Sequence, residues 1–244
     1  MGRMSETIKI LIVINVLFFV GTLIIGELGY KLFALYYFEN PRFLYWQPLT
    51  HMFMHGGMFH ILFNMYALWA FGTPIEMRWG RKRFLFFYFS AGFGAALIHT
   101  FVNYYLVHQG MEALLAIGLD KAQILDILVT GQYNTRILND VSPELIQSTY
   151  DVFNTPAVGA SGARSGVLVA FRMMFPNVSL MLMFFPVPIK AKYFIPGIIL
   201  MDLFLGISGT STGVAHFAHL GGALFGFIMA WYWKKNSFDE NRWY

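Results

Sequence analysis

The sequence predicts an all-α polytopic membrane protein whose chain crosses the bilayer six times. Of its 244 residues, 57% are hydrophobic and 12% are charged, and the mean hydropathy is +0.55. A soluble domain carries roughly twice that charged fraction, about 25%. Aromatic residues make up 18% of the chain, whereas disordered chains are poor in them. The composition therefore argues against a soluble fold and excludes a disordered chain.

Six stretches are apolar enough to be spanning helices, which need about 20 mostly apolar residues. They are predicted at about residues 10–27, 55–74, 84–108, 157–175, 193–209 and 213–233. No small-residue cleavage site follows the first stretch, so we interpret it as a retained span and not as a signal peptide. We interpret residues 1–244 as a single membrane domain.

The positions of lysine and arginine predict the orientation, because short basic loops stay on the cytoplasmic side. The turn between the second and third spans carries Arg78, Arg81, Lys82 and Arg83. The N-terminus, the connection between the fourth and fifth spans and the C-terminus are also basic, and alternation puts them on the same side. Both termini are therefore predicted to be cytoplasmic. Short tails and the lack of a transit peptide favour a bacterial plasma membrane.

Two segments on the predicted outer side are more than connectors. Residues 28–54 include the aromatic-rich LFALYYFENPRFLYWQPLTHMF, which is typical of a segment lying at the membrane interface. Residues 109–156 are mainly acidic and long for a loop. Apolar spacing in MEALLAIGLDKAQILDIL predicts one or two short helices in this outer insertion.

Polar motifs interrupt three of the spans, and the cost of intramembrane polar groups makes them functional candidates. HGGMFHILFN places His60 and Asn64 four residues apart on one face of the second span. GASG places Ser161 at the start of the fourth span, and AHLGG places His219 at the start of the sixth. Because these three spans enter from the outer side, the four side chains are predicted to lie at one depth.

Glycine strips predict that Ser161 and His219 approach each other. Gly162 and Gly166 lie on the fourth span, and Gly222 lies on the sixth. Small residues spaced by four allow two helices to pack closely. A serine becomes a nucleophile when a base takes its proton, so His219 is the candidate base.

These motifs, in this order in a six-span chain, resemble the rhomboid family of intramembrane serine proteases over about residues 8–233. The resemblance implies that Ser161 is the nucleophile, that His219 is the general base, and that His60 and Asn64 serve the oxyanion hole. It implies a compact six-helix rhomboid-like bundle that cleaves single-span membrane proteins near the outer surface without metal or cofactor. The residues expected to support this site are Gly159, Gly162, His55 and Gly222.

Two residues beside the proposed nucleophile depart from the family pattern. Ser165 stands where an aromatic residue usually packs against the catalytic histidine, and Arg164 stands at a usually apolar position. A central arginine costs about 2.5 to 3.5 kcal/mol on insertion scales. A second hypothesis is therefore a catalytically silent member that binds transmembrane segments. Arg172 also replaces a commonly small residue, and we expect it to reach the cytoplasmic end.

Asp202 and His216 are interpreted as structural residues. Asp202, in the fifth span, is the one buried acid that could serve as a third member of a triad. Its predicted mid-membrane position, away from the serine and histidine, favours structural pairing with Arg164 or Arg172 instead. His216 lies one turn before His219 and nearer the surface. A transporter with intramembrane His and Asp as a relay is a third hypothesis, although the sequence lacks inverted repeats.

Several classes of site and partner are not predicted. The chain has no cysteine, which excludes disulfides, thiolate zinc sites and cysteine nucleophiles. The clustered histidines lack an HExxH or comparable carboxylate-bearing pattern, so no metal site is predicted. Basic residues form short clusters and not one face, so no nucleic acid partner is predicted. The expected partners are transmembrane substrates and the lipid bilayer, while the oligomeric state is left open.

Overall fold

A computed structural model describes residues 3–182, 185–208 and 215–236. The described residues are mostly α-helical. The first helices are α1 (Glu6–Ile25), α2 (Glu27–Phe33), α3 (Gln47–Thr50), α4 (Met58–Ala67), α5 (Thr73–Trp79) and α6 (Arg81–Ala116). They are followed by α7 (Lys121–Thr130), α8 (Pro143–Asn154), α9 (Ser161–Met174), α10 (Ala191–Ile207) and α11 (His216–Asn236), with strands β1 (Ser179–Leu182) and β2 (Phe185–Lys190) between α9 and α10.

Helix α9 lies at the centre of the packing, in contact with α6 and α11, which also contact each other. Nearly every residue of α9 is buried, including Ser161 at its first position. The sequence explains this, because SGARSGVLVAF is small or apolar around almost the whole helix circumference. The end of α9 that carries Ser161 is therefore enclosed by other elements on most sides.

The predicted second span is longer than expected and is bound to α1. It runs through α4, a π-helical segment at Leu68–Gly72 and α5, and it ends at Gly80, whose φ of 77° favours glycine. Glu76 in α5 accepts hydrogen bonds from Ser5 Oγ at 2.5 Å and from the Ile8 backbone N–H at 3.3 Å. A carboxylate is favourable there because the first N–H groups of a helix lack intrahelical partners.

The outer insertion contains helices, as the apolar spacing predicts. Its first part belongs to α6, which continues past the predicted end of the third span to Ala116. Helix α7 begins with a capping box between Asp120 and Gln123, and Ser142 caps α8. These helices share a small apolar core with the end of α6 and with Tyr37; its buried members are Tyr37, Val107, Leu114, Ile124, Ile127, Leu128, Val141, Ile146 and Phe153.

The segment predicted at the membrane interface is held by a buried amide. The Gln47 side chain accepts from the Tyr36 backbone N–H at 3.3 Å and donates to the Lys31 carbonyl at 3.1 Å. Leu35 forms an isolated antiparallel bridge with Ala157, just before α9. The segment is thereby joined to the chain that leads into the site, while its position at a membrane interface stays a prediction.

The connection between α9 and α10 differs from the expected basic loop. Strands β1 and β2 form an antiparallel hairpin in which Ser179 pairs with Lys190 and Leu180 pairs with Ile189. The all-α prediction is therefore wrong at this connection. The physical reason is that backbone N–H and C=O groups leaving a helix end need partners, and the hairpin supplies them.

Two helices of the described residues are long and apolar enough to cross a membrane, namely α1 and α6, with mean hydropathies of 2.7 and 1.6. Helix α9 has 14 residues, and the π-helical segment separates α4 from α5. The prediction of six spans is thus not confirmed and stays a prediction. The expected end of the fifth span at residue 209 and start of the sixth at residue 213 lie outside the described residues.

Candidate active site

A serine and a histidine from different helices form a direct hydrogen bond. Ser161 is the first residue of α9, and His219 lies in the first turn of α11. Ser161 Oγ lies 2.9 Å from His219 Nε2. Ser161 is only 9% exposed. This distance suits transfer of the hydroxyl proton to the imidazole.

A carboxylate from α10 contacts the far side of the same imidazole. Asp202 Oδ1 lies 3.1 Å from His219 Nδ1, and Asp202 Oδ2 lies 3.2 Å from it. His216 Nδ1 lies 2.7 Å from Asp202 Oδ1. An ionised carboxylate only accepts hydrogen bonds, so both Nδ1 atoms carry protons. The His219 Nε2 lone pair is then free to accept the proton of Ser161.

The prediction that Asp202 lies away from the serine and histidine is therefore wrong. It does not pair with Arg164 or Arg172 in the described part of the chain; its ion-pair partners there are His216 and His219. The prediction was wrong because it placed Asp202 at the middle of the membrane. Asp202 lies only five residues before the end of α10 at Ile207, and that end leads to the start of α11. His216 keeps a structural interpretation, because it donates to Asp202 and not to Ser161.

Glycines bring α9 and α11 together below the serine and histidine. A Cβ on Gly222 would overlap the carbonyl oxygen of Gly162. One turn further, a Cβ on Gly226 would lie 2.5 Å from the Gly166 Cα. The glycine strips predicted from the sequence thus lie at the helix contact. Any larger side chain there would separate the helices that carry Ser161 and His219.

His60 borders the space in front of Ser161. A Cβ on Gly159 would lie 2.9 Å from His60 Nε2 and 3.4 Å from Ser161 Oγ, so both atoms face the same small volume. Gly159 has a φ of 127°, which L side chains rarely adopt. The Gly56 backbone N–H donates to His60 Nδ1 at 3.3 Å, which leaves the ring proton on Nε2. A hydrogen-bond donor therefore points at the space beside the serine oxygen.

His55 and Asn64 occupy less direct positions. The His55 ring packs edge-on against the His60 ring, with centroids 5.1 Å apart, and so restricts its orientation. Asn64 is 1% exposed and lies one turn after His60 on α4. Its Oδ1 has no hydrogen-bond partner among the described residues. The structure records no hydrogen bond between Asn64 and Ser161.

A small cavity lies behind Ser161. Its volume is about 20 Å³, and its lining includes His51, His99 and Gly162. That volume is sufficient for about one water molecule. His51 O accepts a hydrogen bond from the Gly159 N–H at 2.9 Å, so the 3₁₀ segment at His51–Phe53 also positions the chain beside Ser161. Burial lowers the pKa of His51 to about 4, so its ring is neutral near pH 7.

A much larger groove lies on the opposite side of α9. Its volume is about 720 Å³, and it is lined by side chains of the α4–α5 segment, α9, β1 and α10. The lining is mainly aromatic and aliphatic, and it includes Arg164, one turn after Ser161. Ser165 does not line this groove. Its Oγ donates a hydrogen bond to the Ser161 carbonyl at 2.9 Å.

The cluster around Asp202 also has the composition of a metal site. The donor atoms of Asp202, His216 and His219 all lie within 4.8 Å of one another. Imidazole nitrogens and a carboxylate are suitable zinc ligands. The hydrogen bonds from both histidines to Asp202 account for this arrangement without a metal.

Sequence reasoning favoured a structural role for Asp202 over a place in a triad, and it missed His99, which lines the small cavity together with His51. The position of Asp202 near the end of the fifth apolar stretch was the available signal. His51 and His99 lie far apart in the chain and far from Ser161, and their meeting behind the serine has no local signature. Only the packing of α6 against α9 brings His99 to this place.

Comparison with known proteins gives a consistent set of similarities. A family profile described as "Rhomboid domain" matches residues 42–236. The chain is 32% identical over 200 residues to the presenilin-associated rhomboid-like protein, mitochondrial, of Rattus norvegicus, covering 81% of this chain and 40% of that protein. It is 25% identical over 190 residues to rhomboid protein 1, mitochondrial, of Saccharomyces cerevisiae, covering 75% and 40%.

A bacterial protein is also similar. The rhomboid protease AarA of Providencia stuartii is 25% identical over 196 residues, covering 76% of this chain and 55% of that protein. The chain spans about two fifths of the length of the mitochondrial relatives. The similarity to proteins named mitochondrial does not support the predicted bacterial plasma membrane.

Proposed function

Because this chain belongs to the rhomboid family of integral membrane proteins, we propose that it is an intramembrane serine endopeptidase that cleaves transmembrane segments. The observation that carries the proposal is the chain of hydrogen bonds from Ser161 through His219 to Asp202. A hydroxyl, an imidazole and a carboxylate in this order form the arrangement that activates serine in unrelated hydrolases.

The proposed reaction begins with proton transfer. His219 Nε2 accepts the Ser161 proton as Oγ attacks the substrate carbonyl carbon, and Asp202 stabilises the imidazolium through Nδ1–H. His219 then protonates the leaving amine, which leaves an acyl-enzyme on Ser161. Water, deprotonated by His219, hydrolyses that ester and restores the serine. The small cavity beside Ser161 is a suitable place for one such water.

The proposed oxyanion site lies between His60 and Ser161. A tetrahedral intermediate needs donors aimed at its oxygen, and one donor is typically worth about 100- to 1,000-fold in rate. The His60 Nε2–H points into the space above Gly159, which only a residue without a side chain leaves open. We also propose the Asn64 amide as a donor, because it lies on the same helix face as His60 and is buried.

We further propose that α1, the α4–α5 segment, α6, α9, α10 and α11 are the six spans of one membrane domain. On this proposal the active site lies near the outer face, and both termini are cytoplasmic. Arg78, the basic residues in the first turn of α6 and the aromatic residues of 28–54 support this orientation. A cysteine-accessibility scan of the chain, which has no native cysteine, tests it directly.

The experiment for the activity uses the purified protein and a single-span substrate in lipid vesicles. Ser161→Ala and His219→Ala should each reduce cleavage to background, because either change removes the nucleophile or its base. A fluorophosphonate probe should label the wild type and not Ser161→Ala. Ser148→Ala, which removes an exposed hydroxyl of α8, is the matched control and should retain both cleavage and labelling. Cleavage that survives in Ser161→Ala contradicts the proposal.

The second candidate is a catalytically silent family member that binds transmembrane segments. Arg164 supports it, because this partly buried cation lies one turn after Ser161 and interacts electrostatically with His60 and Asp202. On this alternative the wild type resists the probe, and a variant carrying both Arg164→Leu and Ser165→Phe gains labelling. Robust labelling and cleavage by the wild type exclude it.

A further inference from the structure

Arg164 is a cation in an otherwise apolar groove. It lies three residues after Ser161 on α9, which corresponds to about 4.5 Å along the helix axis. Its side chain lines the groove of about 720 Å³ between the α4–α5 segment and α10. Among the groove-lining residues that the structure describes, Arg164 carries the only formal charge.

Within the part of the chain that the structure describes, the Arg164 guanidinium is not held by an ion pair. Arg164 Nε is buried and has no hydrogen-bond partner among the described residues. Asp202 and His60 are close enough for electrostatic interaction with it. Asp202 forms its ion pairs with His216 and His219, however, so Arg164 gains no hydrogen bond from that carboxylate. The buried Nε–H donor thus has no acceptor in the described chain, although a guanidinium needs one when it is buried.

Arginine in such a place is costly unless an anion joins it, because a buried charge needs pairing and hydrogen bonds. Its planar fork suits a carboxylate in two-point contact. The side chains that line the groove extend along α9 from Arg164 to Phe175, about 16 Å. An apolar helical segment with one acidic residue at its end near Ser161 fits this distribution of charge and apolar surface.

We propose that Arg164 is a specificity residue that selects substrate segments carrying an aspartate or glutamate within about one helical turn of the cleaved bond. The inference rests on the proposed endopeptidase function and adds the chemical class of the substrate. The occupant is a protein side chain and not a lipid headgroup, because the cation lies beside Ser161 at the end of an apolar groove.

The test compares substrates that differ at one position. A single-span substrate is prepared with Asp or Asn at each position within about four residues of the cleavage site, which mass spectrometry locates. For wild type, kcat/KM should favour Asp over Asn by at least about tenfold at one position or its neighbour. In Arg164→Gln that ratio should fall to near one. Arg164→Glu should reverse the preference toward a Lys substrate.

Arg172→Gln is the matched control. Arg172 lies two turns further along α9, and its Nε is also buried without a hydrogen-bond partner among the described residues, but it does not line the groove. This variant should retain the preference of the wild type. Equal loss in both variants, or an Asp to Asn ratio within about twofold at every position for wild type, overturns the inference.

Binding measurements separate this inference from the endopeptidase proposal. The Ser161→Ala variant should bind the Asp segment at least about tenfold more tightly than the Asn segment, and adding Arg164→Gln should remove the difference. If no substrate is cleaved and the probe fails to label Ser161, the endopeptidase proposal fails while this measurement still decides the role of Arg164. A preference that disappears in vesicles containing phosphatidylglycerol, but persists in phosphatidylcholine, assigns Arg164 to a headgroup and overturns the inference.

Discussion

The two sides of α9 differ in how much space they leave. On the side that faces α6 and α11, the described cavity measures about 20 Å³, whereas the groove on the side that faces α4 and α10 measures about 720 Å³. Glycine and alanine make up most of the lining of the first, and large aromatic residues border the second. One helix thus has a closed side, where Ser161 contacts His219, and an open side with an apolar groove.

The difference in volume follows from the sizes of the residues on the two sides of α9. Small residues on the closed side let backbones touch, so the Ser161 to His219 distance is set by rigid helices. Aromatic side chains on the open side cannot interdigitate completely and leave a groove. Reactive groups need positions accurate to fractions of an ångström, whereas a bound segment needs room.

Gly222→Ala should have the largest effect on cleavage and stability, because it adds a methyl group on the closed side of α9. The added Cβ would overlap the Gly162 carbonyl oxygen, and backbone cannot move aside as a flexible side chain can. Cleavage should fall to background, and the free energy of unfolding should decrease by about 3 kcal/mol or more. Substrate cleavage and thermal unfolding in detergent measure the two effects.

Gly21→Ala is the control for this change. Gly21 lies within α1, and a Cβ there meets nothing within 4 Å. The same substitution should leave cleavage intact and stabilise the helix slightly, by about 0.4 to 1 kcal/mol. Full activity in Gly222→Ala would mean that close approach of α9 and α11 does not determine the site.

Asp202→Asn should have an intermediate effect, because it preserves the packing of the closed side and changes only a hydrogen bond. An amide does not stabilise the imidazolium of His219 and can hold the ring in the wrong tautomer. We expect kcat to fall by about a hundredfold or more. Asp202→Glu should restore part of the activity, and Asp126→Asn, at an exposed acid of α7, should behave as wild type.

The pH dependence of kcat distinguishes a role of Asp202 in catalysis from a role in stability alone. If Asp202 acts through His219, its replacement should shift the pH profile as well as lower the rate. A variant with a lower rate, an unchanged pH profile and a lower unfolding temperature would assign Asp202 to stability alone.

Acidification should produce the smallest effect, through His51 on the closed side. Burial lowers the pKa of His51 to about 4, whereas an unfolded histidine has a pKa of about 6.5. The unfolded chain therefore binds a proton first as the pH falls. The contribution of neutral His51 to the free energy of unfolding is fully present above about pH 7 and decreases between about pH 7 and pH 4. At about pH 5 the contribution lost is about 2 kcal/mol.

His51→Gln should make this dependence less steep, because glutamine does not titrate and can still donate to the Gln47 carbonyl that His51 Nδ1 contacts at 3.0 Å. Chemical unfolding at about pH 5 and about pH 7.5 measures the slope. His108→Gln is the control at a half-buried histidine of α6 and should retain the wild-type slope. An unchanged slope in His51→Gln would show that other groups cause the acid sensitivity.

Local sequence patterns predicted a large part of the site. His60 and Asn64 follow from helical spacing, and the glycine strips predicted that two helices approach. The short helices of the outer insertion also follow from apolar periodicity and capping residues. In these cases the pattern and its structural consequence lie within one element or one pair of elements.

Other features had no such local signal. Glu76 lies beside the basic turn between the second and third predicted spans, and nothing local indicates that it caps the start of α1. The β1–β2 hairpin lies where a basic loop was expected, and Asp202 joins the histidines because α10 ends close to the start of α11. Each outcome depends on which elements become neighbours.

The sequence by itself identified the residues of the candidate site: a serine and a histidine in small-residue helix starts, and a histidine and an asparagine one turn apart. It did so because such residues are costly in an apolar span and therefore conspicuous. Only the tertiary structure decided that Asp202 contacts His219 and that Arg164 faces an open groove. Those contacts depend on the distance and the rotation between packed helices, and neither quantity can be derived from the residues of a single helix.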